Sequence, residues 1–348
     1  MKRKSLSKVL LFTFSIVLMF PTPVSFAADP TPAPTPSPTN TAVPTPTPSA
    51  TGSGAPSPSP SASTTFPHLP PLILPSSTDR ALPGNLRPSL AGAILDRPKP
   101  YPDRCHTGQN LIESTAPCLY GDQTGLKSIV LFGDSHALSW FPAVNLLAKA
   151  KKWRLYSLTM SSCWPAKIPA WNNVTRSLMT NCAIWRANTL KRIEKLHPLM
   201  VFVSGTRGFS TISAEKVELK GDQRVQVWQV GMKNTIDRLK LATPRVILIS
   251  DTPSSNFNPA ECLAIHKRSV MACSTPIAEA ISTTWIAIEK QIAADEMISW
   301  VDPTLWICSA TPCQPIVGNT LIYVDGGHLT ATFGITLEKP LWKEISSQ

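Results

Sequence analysis

The stretch SIVLFGDSHALSWFPAV, residues 128–144, decides how this chain is read. Ile129 to Phe132 form a short, wholly apolar run, which predicts a strand buried on both faces. Gly133 permits a tight turn. From Ala137 the apolar spacing changes to that of an amphipathic helix, continuing to about residue 152. Asp134 and Ser135 therefore stand at a strand-to-helix junction. The first N–H groups of a helix lack intrahelical partners and can hold an oxyanion there. Such a serine is either an ordinary turn residue or a nucleophile at the edge of a sheet.

Outward from this point the same alternation repeats. Apolar runs at 153–160, 199–205, 245–251 and 297–303 follow, with helical patterns at 182–196, 224–240 and 276–294 between them. Strands that alternate with helices imply parallel crossovers, so the predicted fold is α/β, a doubly wound parallel sheet of about five strands. Ligands of such sheets bind beyond the carboxyl ends of the strands. Those ends read GDSH, TMSSC, SGTRG, SDTP and VDP. Only the first sets a nucleophile beside a helix start.

The folded domain is expected at 82–348. Residues 1–27 have a basic start, an apolar centre and a small-residue end at Ala27, the pattern of a cleaved signal peptide. The alternative is an uncleaved anchor, against which Pro21 and Pro23 interrupt a short apolar run. Residues 28–81, rich in Pro, Thr, Ser and Ala, predict a disordered stalk biased to extended polyproline II. The chain carries 35 prolines, about twice the usual share.

Export turns the eight cysteines into expected disulfides. The preferred pairing is local and in chain order: Cys105 with Cys118, Cys163 with Cys182, Cys262 with Cys273, and Cys308 with Cys313. Each pair brackets one loop or one loop plus a helix. No CxxC pair points to zinc, and neither a metal nor a cofactor is expected. The formal charge of +11 becomes +7 once Lys2, Arg3, Lys4 and Lys8 leave with the leader. A positive exported protein suits anionic envelope polymers, although scattered solubilising charge explains it as well. Nucleic acid is not an expected partner, because no binding motif is present.

A serine nucleophile needs a base. Of the six histidines, His68 lies in the stalk, His106 in a cysteine loop before the first strand, His197 at the wrong end of a helix and His266 in a second cysteine loop. His136 follows the serine directly and is expected to point away from it. His328 lies in YVDGGHLTATFG, residues 323–334, three residues after Asp325. An Asp-x-x-His turn can bind the carboxylate to one imidazole nitrogen while the other faces Ser135. The bland alternatives are a turn serine and a helix-capping cluster at 325–328.

LFGDSH near the start of this domain and DGGHL near its end resemble the first and last motifs of SGNH/GDSL-type hydrolases. CLYGD (118–122), GDSHALSWFPA (133–143), LTMSSCWP (158–165), CAIWR (182–186), ISDTP (249–253) and DGGHLTATFG (325–334) resemble one branch more closely. These are the extracytoplasmic SGNH domains fused to acyltransferase-3-type membrane acyltransferases that modify envelope glycans. The resemblance implies a three-layer, flavodoxin-like fold, with Ser135 as nucleophile, His328 as base and Asp325 as the orienting acid. Ser135 N–H would be one oxyanion donor. The superfamily's second-motif glycine and third-motif asparagine are not evident, which leaves Ser162, Gly205 or Thr206 as candidates for further donors. Asp134, His136, Trp164 and Arg207 are candidate substrate contacts, with a solvated loop position the alternative for Arg207 and core packing for Trp164. The branch implies acyl-serine transfer from an acylated donor to an envelope polysaccharide, with a separate membrane acyltransferase as partner. A stand-alone O-acetyl esterase and an inactive glycan-binding module are the competing readings.

Overall fold

The computed structural model describes residues 66–348, apart from positions 68, 71 and 115. The expected signal peptide and most of the expected stalk lie outside these residues. The sheet contains β1 (His106–Thr107), β2 (Leu119–Gly121), β3 (Lys127–Gly133), β4 (Trp153–Met160), β5 (Met200–Ser204), β6 (Val246–Ile249) and β7 (Ser299–Val301). Their order is β1-β4-β3-β5-β6-β7, all parallel, with β2 antiparallel on β4. The five expected strands are β3 to β7. The two missed strands are two and three residues long, too short to carry a hydropathy period.

Every long strand is buried on both faces because its apolar residues divide by parity. Val130, Phe132, Val201, Val203, Val246 and Leu248 enter one core with Trp185, Trp228 and Ile288. Ile129, Leu131, Met200, Phe202, Ile247 and Ile249 enter the other with Leu147, Phe333 and Leu341. The first core packs α3 (Thr180–Leu196), α4 (Gly221–Lys240) and α5 (Thr283–Asp295) on the sheet. The second packs α2 (Phe141–Ala150), α6 (Ala331–Thr336) and α7 (Glu338–Ser346). The crossover leaving β3 thus covers one face and that leaving β5 covers the other. The crevice between these adjacent strands is the topological switch point, where doubly wound sheets bind ligands.

Two expected helices are interrupted for local reasons. The segment after β3 divides into α1 (Ser135–Ser139) and α2, with Pro142 near the start of the second. The segment 276–294 divides at Ser282, whose hydroxyl caps α5 by accepting from Trp285 N–H. The four disulfides pair as the local order predicts, with Cα separations from 5.0 to 5.8 Å. No helix among the described residues is long and apolar enough to cross a membrane.

The chain is held to the domain before the expected boundary at residue 82. Ser77 N–H donates to Thr311 O, Thr311 N–H donates to Pro75 O, and Leu82 N–H donates to Lys267 O, at 2.8 to 2.9 Å. Leu69 and Leu74 pack beside Ile281, Cys308 and Cys313. The segment has the stalk's prolines and serines, but its leucines give it an apolar face to bury. Residues 75–82, spanning the end of the expected stalk, are thus hydrogen-bonded to the domain.

Candidate active site

The site begins with Gly133 at the tip of β3. A Cβ here would stand 1.9 Å from Ser204 O, so only glycine lets β3 and β5 run this close and turn into α1. Asp134 is fully buried and caps that helix: its Oδ1 accepts from His136 N–H at 2.8 Å and from Ala137 N–H at 3.4 Å. Its Oδ2 accepts from Thr206 N–H at 2.9 Å, which ties the β3 tip to the β5 tip. Burial lifts the Asp134 carboxyl above its usual range, against the opposing pull of His136 and the Thr206 N–H. The cap engages the amides of His136 and Ala137 and not that of Ser135, the first residue of α1.

The loop at 323–329 closes on this tip. Val324 N–H donates to His328 O at 2.8 Å, and the turn between them brings Asp325 under the imidazole. His328 Nε2 lies 2.9 Å from Ser135 Oγ. His328 Nδ1 lies 3.0 and 2.9 Å from the two Asp325 oxygens. A carboxylate only accepts, so Nδ1 carries the proton and Nε2 is free to accept from the serine hydroxyl. Burial would raise the Asp325 pKa, but hydrogen bonds from the His328 ring, Gly327 N–H and His328 N–H outweigh it and hold the carboxyl well below its usual range. Arg97 reaches within 3.8 Å of Asp325 Oδ2 from outside the loop.

The other expected contacts fare differently. Asp134 is a buried cap and touches no substrate space. The His136 ring lies 4.8 Å from that of His328, and its Nδ1 donates to Asp251 Oδ1 at 2.6 Å. Burial would lower the His136 pKa, yet the charge and hydrogen bond of Asp251, with Asp134 and Asp325, hold it up at about 9. Arg207 is neither solvated nor directed at substrate. Its side chain pairs with buried Glu289 at 2.9 Å, and its N–H donates to Asp251 Oδ2 at 3.0 Å. Trp164 is 4% exposed and packs against Phe209, which rules it out as a sugar platform. Trp140 and Trp185 are core as well.

Two of the donor candidates, Thr206 and Ser162, are engaged elsewhere. Thr206 N–H serves Asp134, and Thr206 Oγ1 accepts from Gly208 N–H. Ser162 Oγ accepts from Gln109 Nε2 at 3.0 Å. Gly205 is where a Cβ would strike Pro165 Cδ at 2.8 Å, so its lack of a side chain serves packing.

Sequence reasoning missed Asp251, Arg97, Tyr101 and His106. Asp251 lies two residues past the end of β6, and an acid beyond a strand's carboxyl end was a usable signal. Arg97 and Tyr101, stacked as cation and ring at 5.3 Å, precede the sheet and carry no periodic signal. Tyr101 leads on to His106 at 4.8 Å between ring centres. Burial, with repulsion from His328 and Arg97, pushes His106 down to about 4, so it stays neutral beside the site.

The comparisons agree with this architecture. Residues 104–343 match the family model described as SGNH domain (fused to AT3 domains). Among solved structures, the periplasmic domain of a lipopolysaccharide acetyltransferase from Salmonella ser. Paratyphi A is similar, with 20% identity, 65% of this chain and 85% of that chain covered, and a TM-score of 0.50. A carbohydrate esterase family 2 enzyme from Corynascus thermopiles is similar at 15% identity, 67% and 68% coverage and a TM-score of 0.37. An acetyl-xylooligosaccharide esterase variant from Geobacillus is similar at 14% identity, 64% and 96% coverage and a TM-score of 0.36. No curated protein matches the chain. With the family match spanning most of its length, the chain belongs to the family of SGNH domains of the kind fused to AT3 domains.

Proposed function

We propose that this protein transfers an acyl group, acetyl by preference, through an ester on Ser135 to a hydroxyl of a cell-envelope polysaccharide. One observation carries the reading: Ser135 Oγ, His328 and Asp325 are hydrogen-bonded in line at the switch point of the sheet. His328 Nε2 takes the hydroxyl proton as Oγ bonds to the acyl carbon and the carbonyl electron pair moves to oxygen. Collapse of that adduct expels the donor's oxygen, which receives the proton from His328. A sugar hydroxyl then gives its proton to His328 and attacks the serine ester. The second collapse returns the electron pair, and then the proton, to Ser135 Oγ.

Family membership supports an enzyme of acyltransferase or esterase type. The fold shared with the periplasmic domain of the Salmonella lipopolysaccharide acetyltransferase supports acetyl as the group and an envelope glycan as the acceptor. Fusion to AT3 domains within the family supports a membrane acyltransferase as the donor's source. Four disulfides among the described residues support an extracytoplasmic location. Hydrolysis is the second reading, favoured by the partial exposure of the His328 and Asp325 side chains, 27% and 35%, which admits water to the ester.

The test is turnover of a chromogenic acetyl ester with and without envelope polysaccharide. Transfer predicts slow release alone and faster release, with O-acetylated glycan, when the acceptor is present. Fast release indifferent to the acceptor would establish the esterase. A Ser135→Ala variant that keeps the wild-type rate would overturn both.

A further inference from the structure

We propose that His136 is a catalytic hydrogen-bond donor, its Nε2–H holding the acyl oxygen as negative charge develops there, with Asp251 as the residue that positions it. This deepens the acyl-serine reading above and rests on it. The argument begins with what the strand tips leave available. The amides of Thr206 and Arg207, at the tip beside Ser135, both point into buried carboxylates, Asp134 and Asp251. They are not available to a substrate, and the Ser135 amide is a single donor.

His136 has the complementary property. Its Nδ1 is held by Asp251 Oδ1 at 2.6 Å. Among the described residues its Nε2 has no hydrogen-bond partner, and the side chain keeps 15% exposure. A charged imidazole donates through both nitrogens, so Nε2–H is a donor without an acceptor next to the nucleophile. Gly327 completes the arrangement. A Cβ at 327 would lie 3.2 Å from His136 Cε1 and 3.5 Å from Nε2, so any side chain there would crowd this edge of the ring.

The titratable and charged groups facing the ring are Asp251 just past β6, Asp134 from the α1 cap, and Asp325 and His328 from the closing loop, with Arg207 behind Asp251. Three carboxylates around the ring keep His136 charged through the neutral range, in keeping with its raised pKa. The proton remains on His136 throughout the reaction. His328 alone transfers protons, and His136 only stabilises the oxyanion.

The experiment compares wild type, His136→Ala, His136→Gln and Asp251→Asn on the acetyl ester, with Ser135→Ala alongside. Loss of an oxyanion donor predicts kcat about 10²-fold or more lower in His136→Ala, with KM changed less than about threefold. His136→Gln, which retains a neutral N–H donor, recovers part of that loss. Wild-type kcat falls above about pH 9 as His136 loses its proton, and the Gln variant lacks that limb. Asp251→Asn, nearly isosteric, moves the limb to lower pH, a readout that a purely structural ion pair would not produce. The proposal is overturned if the Ala and Gln variants have equal kcat, if His136→Ala stays within about threefold of wild type, or if the basic limb does not move in Asp251→Asn. Activity retained in Ser135→Ala would instead overturn the acyl-serine reading.

Discussion

Gly133 and Ser204 approach so closely that the two central strands share a wall with no room for a side chain between their tips. The nucleophile's position follows from this contact, because Gly133 sets the turn that Asp134 then caps. Gly133→Ala must move either β3 or β5, and the backbone at φ +148° adds strain for any residue with a Cβ. The expected cost is about 3 kcal/mol or more. Urea unfolding measures it, and a midpoint equal to wild type would contradict the packing.

Asp325→Asn tests the orientation of the base. The amide can donate to Nδ1, which favours the tautomer with a proton on Nε2, the wrong nitrogen for accepting from Ser135. Turnover is expected to fall about 10³- to 10⁴-fold with little change in KM. Retention of most activity would mean that His328 is oriented by the loop alone.

The His136–Asp251 pair makes stability depend on pH in a definite direction. The His136 pKa rises from 6.5 to about 9 on folding. Its contribution is therefore complete below about pH 6.5 and is lost as pH rises toward 9, on the order of 3 kcal/mol in all. Thermal unfolding between about pH 6 and pH 9.5 should show the decline, and Asp251→Asn should flatten it. A midpoint independent of pH over that window would argue against the pair.

Arg207 and Glu289 form a buried pair beneath the site, and their removal is asymmetric. Arg207→Met leaves Glu289 as an uncompensated carboxylate and should cost about 3–5 kcal/mol. Adding Glu289→Leu should recover much of that loss. Stability measurements separate this from a sugar contact, which would raise KM and leave unfolding unchanged.

The disulfide between Cys163 and Cys182 clips the loop after β4 to the first turn of α3, a separation of 19 residues. Replacing both cysteines with alanine should lower stability by about 2–4 kcal/mol. Denaturant unfolding of the oxidised protein against this variant measures it.

The parallel sheet was legible because each long strand is apolar at consecutive positions, as Ile129 to Phe132 illustrate, and because helices separate the strands. Ser135 and the Asp325–His328 pair were legible as residue types at a strand tip and in a glycine turn. The environment of His136 was not. Its ring direction depends on how α1 leaves Gly133 and on Asp251, 115 residues away. Local spacing carries neither. Arg207 and Trp164 misled for a related reason: both occupy strand-end loops that later chain covers, Arg207 by α5 through Glu289 and Trp164 by Phe209. Fold class is a matter of periodicity, whereas burial at a loop is decided by distant packing.

The short strap over residues 75–82 has a mechanical consequence. A pull on this strap loads the hydrogen bonds to Thr311 and to Lys267. Thr311 lies inside the ring closed by Cys308 and Cys313, and Lys267 inside that closed by Cys262 and Cys273. Load on the strap therefore enters two covalently closed loops.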